Sequence, residues 1–129
     1  MANVDPIFAG TVKNKGATLA TADTSMTSPN ANGANICTAG ASGCTIEKVT
    51  IKALGTNIAT VVRFFVYDGT NYFLVDEITL AATTASAVAA TQKYEACHGL
   101  RLAATYQLWV ALGTTVAAGW RFMAFSGDY

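Results

Sequence analysis

Residues 60–79 read Thr-Val-Val-Arg-Phe-Phe-Val-Tyr-Asp-Gly-Thr-Asn-Tyr-Phe-Leu-Val-Asp-Glu-Ile-Thr. Two arms dense in β-branched and aromatic side chains flank four turn formers, and this pattern predicts a hairpin. A loop of two or of four residues gives the same register. Tyr67 then opposes Tyr72, Phe65 opposes Leu74 and Arg63 opposes Asp76 on one side of the ribbon. Val66 with Phe73 and Phe64 with Val75 share the other side. Both faces are apolar, so each needs a cover. Val62, Phe64, Val66, Phe73 and Val75 make the longer uninterrupted set and are expected in the core. Phe65, Tyr67, Tyr72 and Leu74, bounded by the Arg63–Asp76 pair, are expected to meet a neighbouring subunit.

The rest of the chain also reads as strands. Residues 5–22 mix β-branched residues with Gly10 and Gly16 and predict two short strands or an extended arm, with residues 1–15 as the candidate arm. Residues 23–33 are turn formers and predict a surface loop. Residues 34–38 predict a short strand, and residues 39–43 a glycine-bearing connection. Between Cys44 and Leu54, Val49, Ile51 and Ala53 alternate with Lys48, Thr50 and Lys52, the signature of a strand wet on one side only. After a turn at Gly55-Thr56-Asn57 comes the hairpin. Residues 81–90 are rich in Ala, Thr and Ser without an apolar stripe of helical period, and predict loop leading into a strand over residues 88–96. Residues 100–102 form its short partner.

Near the C-terminus, Tyr106, Leu108, Val110 and Leu112 alternate with Gln107, Trp109 and Ala111. In the last strand Trp120, Phe122 and Ala124 alternate with Arg121, Met123 and Phe125. Val49, Ile51, Leu108, Val110 and Phe122 join the expected core. About eight strands with short turns and no helix indicate an all-β fold. The expected architecture is an antiparallel jelly-roll-like sandwich of one domain, with an immunoglobulin-like sandwich as the alternative.

Composition changes the picture in one respect. Charged residues are 12% of the 129, about half the roughly 25% usual in soluble domains, and mean hydropathy is +0.34. The formal net charge is zero. A neutral surface poor in charge favours association, which points to an assembly subunit, with a monomer whose skin is largely Thr, Ser and Ala as the alternative. The eight basic residues are scattered, with Lys13 and Lys15 the nearest to a cluster, so the charge pattern argues against nucleic acid as a partner. No run reaches the ~18 apolar residues a membrane helix needs. The opening residues lack the basic and apolar regions of a secretion signal, and three cysteines suit a reducing compartment. Synthesis in a cytosol is therefore expected.

Catalytic chemistry has little to build on. Cys97-His98 pairs a thiol with an imidazole, yet neighbours on a strand point to opposite faces. Asp76 and Glu77 are separated in the same way and do not suit acid–base work. One histidine and no CxxC spacing give no zinc site, and Asp68-Gly69-Thr70-Asn71 lacks the ligand alternation of a calcium loop. No catalytic residue, metal site or cofactor is expected. Cys37 and Cys44 could face each other on a hairpin, as buried small hydrophobes or as a disulfide formed in an oxidising medium. Six phenylalanines, five tyrosines and two tryptophans fall mostly on strand faces, where core packing is the ordinary role. An exposed pair formed by Trp109 and Trp120 would instead suggest sugar binding.

Three pieces carry a family resemblance: Met1-Ala2-Asn3-Val4-Asp5-Pro6-Ile7-Phe8, then Val66-Tyr67-Asp68-Gly69-Thr70-Asn71 after the strand Ile46-Glu47-Lys48-Val49-Thr50-Ile51-Lys52-Ala53, and finally Phe125-Ser126-Gly127-Asp128-Tyr129. Together they resemble small virion proteins of tailed bacteriophages, most closely head decoration or cement proteins. The resemblance implies a β-rich subunit on the outer capsid surface, a homotrimer that contacts the major capsid protein and locks adjacent capsid subunits. A glycan-binding sandwich of tail, baseplate or fibre, and a head-completion or neck adaptor, are the alternatives. The three cysteines and the alanine-rich stretch after Leu80 depart from the pattern.

Overall fold

A computed structural model describes residues 10–29 and 31–129 of the chain. Among the described residues there are nine strands and no helix: β1 Thr11–Leu19, β2 Ala34–Thr38, β3 Cys44–Ala53, β4 Thr60–Tyr67, β5 Tyr72–Leu80, β6 Tyr94–Ala96, β7 Leu100–Leu102, β8 Gln107–Leu112 and β9 Trp120–Asp128. They form two antiparallel sheets. The first has the order β1-β9-β3, with β6 and β7 both on the far side of β3, and the second has the order β2-β8-β4-β5. The short strands β6 and β7 lie along successive stretches of β3, opposite Val49–Ile51 and Cys44–Ile46, and so share one strand position. The result is two sheets of four positions, with the chain crossing between them at most connections. That is the strand order of a jelly roll, not the grouping of an immunoglobulin-like sandwich.

The two inner faces meet in one apolar core. Val49, Ile51, Trp120, Phe122 and Ala124 come from the first sheet, and Ile36, Val62, Phe64, Leu108, Val110 and Leu112 from the second, all fully buried. Phe64 and Phe122 meet edge to face across the sandwich, 6.4 Å between ring centroids. Burying each such large side chain contributes about 1.5–3 kcal/mol. Trp120 packs against Tyr94 at 6.0 Å, although its indole N–H has no hydrogen-bond partner among the described residues.

Four sequence expectations need correction. Thr11 to Leu19 form one unbroken strand in register with β9, in place of the two short strands or extended arm that the sequence predicts; residues 1–9 of the candidate arm lie outside the described residues. Residues 88–93 are not strand, since Val88 is 96% exposed and regular pairing begins only at Tyr94. That segment buries too little to hold a ladder and is tethered instead, with the Lys52 ammonium donating to the Thr91 carbonyl at 2.6 Å. Arg63 does not oppose Asp76. A bulge between Phe64 and Phe65 leaves Val75 as the extra residue of β5, so Phe64 faces Asp76 and Arg63 faces Glu77. Finally, Phe73 and Val75 are not core residues, being 52% and 45% exposed. β5 is an edge strand, and the three-residue strands β6 and β7 are too short to cover this corner from the opposite sheet.

One residue of the loops is buried by design of the turn it closes. Asn57 is 3% exposed and joins three loops. Its Oδ1 accepts from the backbone N–H groups of Ala118 and Gly119, both at 2.9 Å, and its Nδ2 donates to the Gly119 carbonyl at 3.0 Å. Its backbone pairs with Thr83, which fastens the alanine-rich segment to the sandwich.

Candidate interaction surface

Alternation along β4 and β8 aims Arg63, Phe65, Tyr67, Gln107, Trp109 and Ala111 away from the core, onto the outer face of the second sheet. Register places Phe65 between Leu74 of β5 and Trp109 of β8. Phe65 is fully buried there, and it lies outside the main core cluster. Its own neighbours therefore cover it, and it is not available to another subunit, contrary to the sequence expectation. Tyr67, Tyr72 and Leu74 remain half-buried. The Tyr67 and Tyr72 rings stack at 4.2 Å, and Tyr72 meets Trp109 edge to face at 5.7 Å. Burial, and then the proximity of Tyr67, pushes the Tyr72 phenol above its ordinary value of 10.0, so the ring is neutral.

Polar groups frame this aromatic row. Gln107 Oε1 accepts from the Trp109 indole at 2.8 Å and from the Asn35 amide at 3.0 Å. Arg63 Nε lies 3.4 Å from Glu77 Oε1 but without hydrogen-bond geometry, so the contact is Coulombic, and such a partly exposed pair is worth about 0–1 kcal/mol. Trp109 and Trp120 do not form a platform, because they belong to different sheets and Trp120 is fully buried.

The other side of β5 carries the apolar surface that sequence reasoning assigned to the core. Exposed Phe73 shares a side with Val66, its register partner, and lies two positions from exposed Val75. Val75 and Asp76 also line a cleft of about 460 Å³ with Glu95, Ala96, Cys97, His98, Gly99 and Leu100. Among the described residues β5 pairs with β4 alone. It is thus a nine-residue edge strand with one row of backbone groups unpaired by any strand and apolar side chains on both sides. The only sequence signal for this was the apolar character of both arms; that β5 lies at an edge followed from topology.

The cleft brings together the residues with the most chemistry. Cys97 has φ 56, so the chain does bend between Cys97 and His98. The imidazole nevertheless points to Glu95, 3.4 Å away. Burial first, and then the charge of Asp76, pushes the Cys97 thiol up to about 12, the opposite of what a nucleophilic cysteine needs. Lys93 chiefly, with Lys48 and His98, holds Glu95 below the ordinary carboxylate value. Among the described residues no group of three or more His, Cys, Asp or Glu side chains could hold a metal ion. At the hairpin tip, Asp68 Oδ1 accepts from the backbone of Thr70 at 2.8 Å and Asn71 at 2.7 Å, an ordinary Asx turn. Cys37 and Cys44 are buried with their sulfurs 3.6 Å apart. No family model, curated protein or solved structure matches this chain.

Proposed function

We propose that the protein is a virion structural subunit, a capsid decoration protein that self-associates along β5 and clamps adjacent subunits of the major capsid protein. The observation that carries this reading is β5 itself. An open edge with exposed Phe73 and Val75 on one side and half-buried Tyr72 and Leu74 on the other is the surface a monomer usually blunts. The low charge content extends the argument to the whole skin. In a homotrimer the β5 edge of one copy meets a different surface of the next, and such head-to-tail contacts close about an axis; many copies on one particle make modest contacts with the capsid sufficient. The jelly roll is compatible with this role without implying it, since the same architecture serves capsid proteins, lectins and enzymes. The test is the copy number in purified virions. The reading expects on the order of hundreds of copies on heads, because weak sites hold through multiplicity; a handful of copies on tails would refute it.

A second reading, glycan recognition by a tail or fibre component, draws on Tyr67, Tyr72 and Trp109 standing beside the Asn35 and Gln107 amides. Aromatic rings with adjacent amides are the usual means of holding a sugar ring. The mutual stacking of Tyr67 and Tyr72 works against it by using ring faces a sugar would need. Binding on a glycan array that disappears in Trp109→Ala would favour this reading over decoration.

A further inference from the structure

We infer that Cys37 and Cys44 form a redox-controlled cross-link, a dithiol under reducing conditions that closes to a disulfide between the two sheets when a small-molecule disulfide reaches it. The inference is independent of any virion role. Cys37 lies on β2 of the second sheet and Cys44 opens β3 of the first, so a bond between them would tie an edge strand to a central one across the sandwich. Their sulfurs are already in contact at 3.6 Å and have to close to about 2.05 Å.

Two features allow that movement. Among the described residues β2 is an edge strand that pairs with β8 alone. Its register shifts between Asn35 and Cys37, so the Cys37 backbone sits in a bulge and not in a regular ladder. Cys44, by contrast, is fixed by pairing with Leu102 on one side and Asp128 on the other, so the closing movement belongs to Cys37. Access comes from the side. A cleft of about 350 Å³ along the seam between β1 and β2 is lined by Lys13, Lys15, Ile36, Cys37, Thr38 and Ser126. Lys13 is paired with Asp128 at 3.0 Å, so the charge that favours an anionic reagent such as oxidised glutathione is that of Lys15.

The chemistry balances as thiol–disulfide exchange. The Cys37 thiolate attacks one sulfur of the reagent, forming a mixed disulfide and expelling one glutathione thiolate. The Cys44 thiol gives up its proton and attacks the Cys37 sulfur, expelling the second. Two protein S–H bonds are exchanged for one S–S bond, and two molecules of reduced glutathione leave with the protons. In the dithiol, burial and then the neighbouring Cys37 push the Cys44 thiol up; once Cys37 is in the mixed disulfide only the burial contribution is left, and it keeps the second step faster at higher pH.

Cys97 supplies an internal comparison, since it lies in the separate turn between β6 and β7. The experiment incubates the full-length native protein with oxidised glutathione, then unfolds it, alkylates free thiols and maps the peptides by mass. The expected result is one peptide pair joining Cys37 to Cys44, two hydrogens lighter than the dithiol, with Cys97 alkylated. Tm should rise by roughly 5–10 °C and return with dithiothreitol. Cys97→Ser should oxidise identically. Full alkylation of both Cys37 and Cys44 after exposure, or a cross-link that runs through Cys97 and vanishes in Cys97→Ser, would overturn the inference.

Discussion

Replacing Asn57 with alanine tests how the loops at one end of the sandwich are held. The side chain makes three hydrogen bonds to the β8–β9 connection: two accepted from the Ala118 and Gly119 N–H groups and one donated to the Gly119 carbonyl. Alanine removes all three, but the carbonyl keeps a partner in the Leu54 N–H at 3.0 Å. The net loss is therefore two orphaned donors. An orphaned donor costs about 1–3 kcal/mol when it stays buried. Gly119 is buried and bears the full penalty, whereas Ala118 is half-buried and can recruit water. The expected destabilisation is about 2–4 kcal/mol, or roughly 10 °C in Tm for a chain of this length. Urea unfolding followed by tryptophan fluorescence suits the measurement, because Trp120 directly follows Gly119 and is fully buried. The neighbouring Thr56→Ala is the control, since it removes one exposed bond from Thr56 Oγ1 to the Ala85 N–H and should cost under about 1 kcal/mol. If Asn57→Ala costs no more than that control, the backbone pairing of Asn57 with Thr83 alone holds the loops, and the side-chain argument fails.

The remaining expectations concern β5, one glycine and the thiols. Phe73→Glu with Val75→Lys changes two exposed positions, so stability should move by under about 1 kcal/mol while the native mass falls to that of a monomer; an unchanged oligomer would remove β5 from the interface. Deleting Val75 removes the bulge yet leaves every other pair of β4 and β5 in place, so the variant should fold within about 1 kcal/mol of wild type in urea unfolding. A loss above about 3 kcal/mol would mean that the strand had slipped and turned Ile78 and Leu80 out of the core. Gly43→Ala combines φ +86 with a methyl 2.7 Å from the Leu102 carbonyl and should cost about 2–4 kcal/mol, read as a lower urea midpoint. Native Cys97, its thiol pushed like that of Cys44 from 9.0 to about 12, should react with Ellman's reagent at pH 8 at least about tenfold more slowly than a free thiol, because the loss of thiolate outweighs the gain in its nucleophilicity. Because these are acids whose folded values are raised, their contribution to stability is complete below pH 9 and is lost as pH climbs from 9.0 towards 12.

Strand existence was legible wherever period two was clean. β2 and the starts of β3 and β4 fall where alternation and turn residues placed them, because burial on one face demands that pattern. Failures occurred where no local pattern could speak. Residues 88–93 carry alanines and threonines that suit several conformations, and only the absence of a covering partner leaves them as loop. The burial of Asn57 was invisible for a related reason: a loop asparagine reads as turn chemistry, and nothing nearby in sequence indicates that its partners are more than sixty residues away. The outer-face patch was correct in composition, but Phe65 is sealed by Trp109, a cross-strand neighbour that only the pairing of β4 with β8 supplies.

The bulge at Val75 explains why the hairpin was half right, and it also bears on the choice of surface. Counting outward from the turn, Tyr67–Tyr72, Val66–Phe73 and Phe65–Leu74 fall as a regular ladder requires. One extra residue then shifts every later pair, so Glu77 instead of Asp76 reaches Arg63, and Asp76 turns toward the cleft that holds Cys97. The bulge leaves Val75 without a partner in the ladder, near Phe73 and outside the cover of the opposite sheet. Bulges and charges are both means of discouraging edge-to-edge pairing, and here Val75, Asp76 and Glu77 supply them for the second half of β5. The first half, from Tyr72 to Leu74, has neither. An association along this edge is therefore directed to the hairpin end of the strand, where Phe73 stands on one side and Tyr72 and Leu74 on the other.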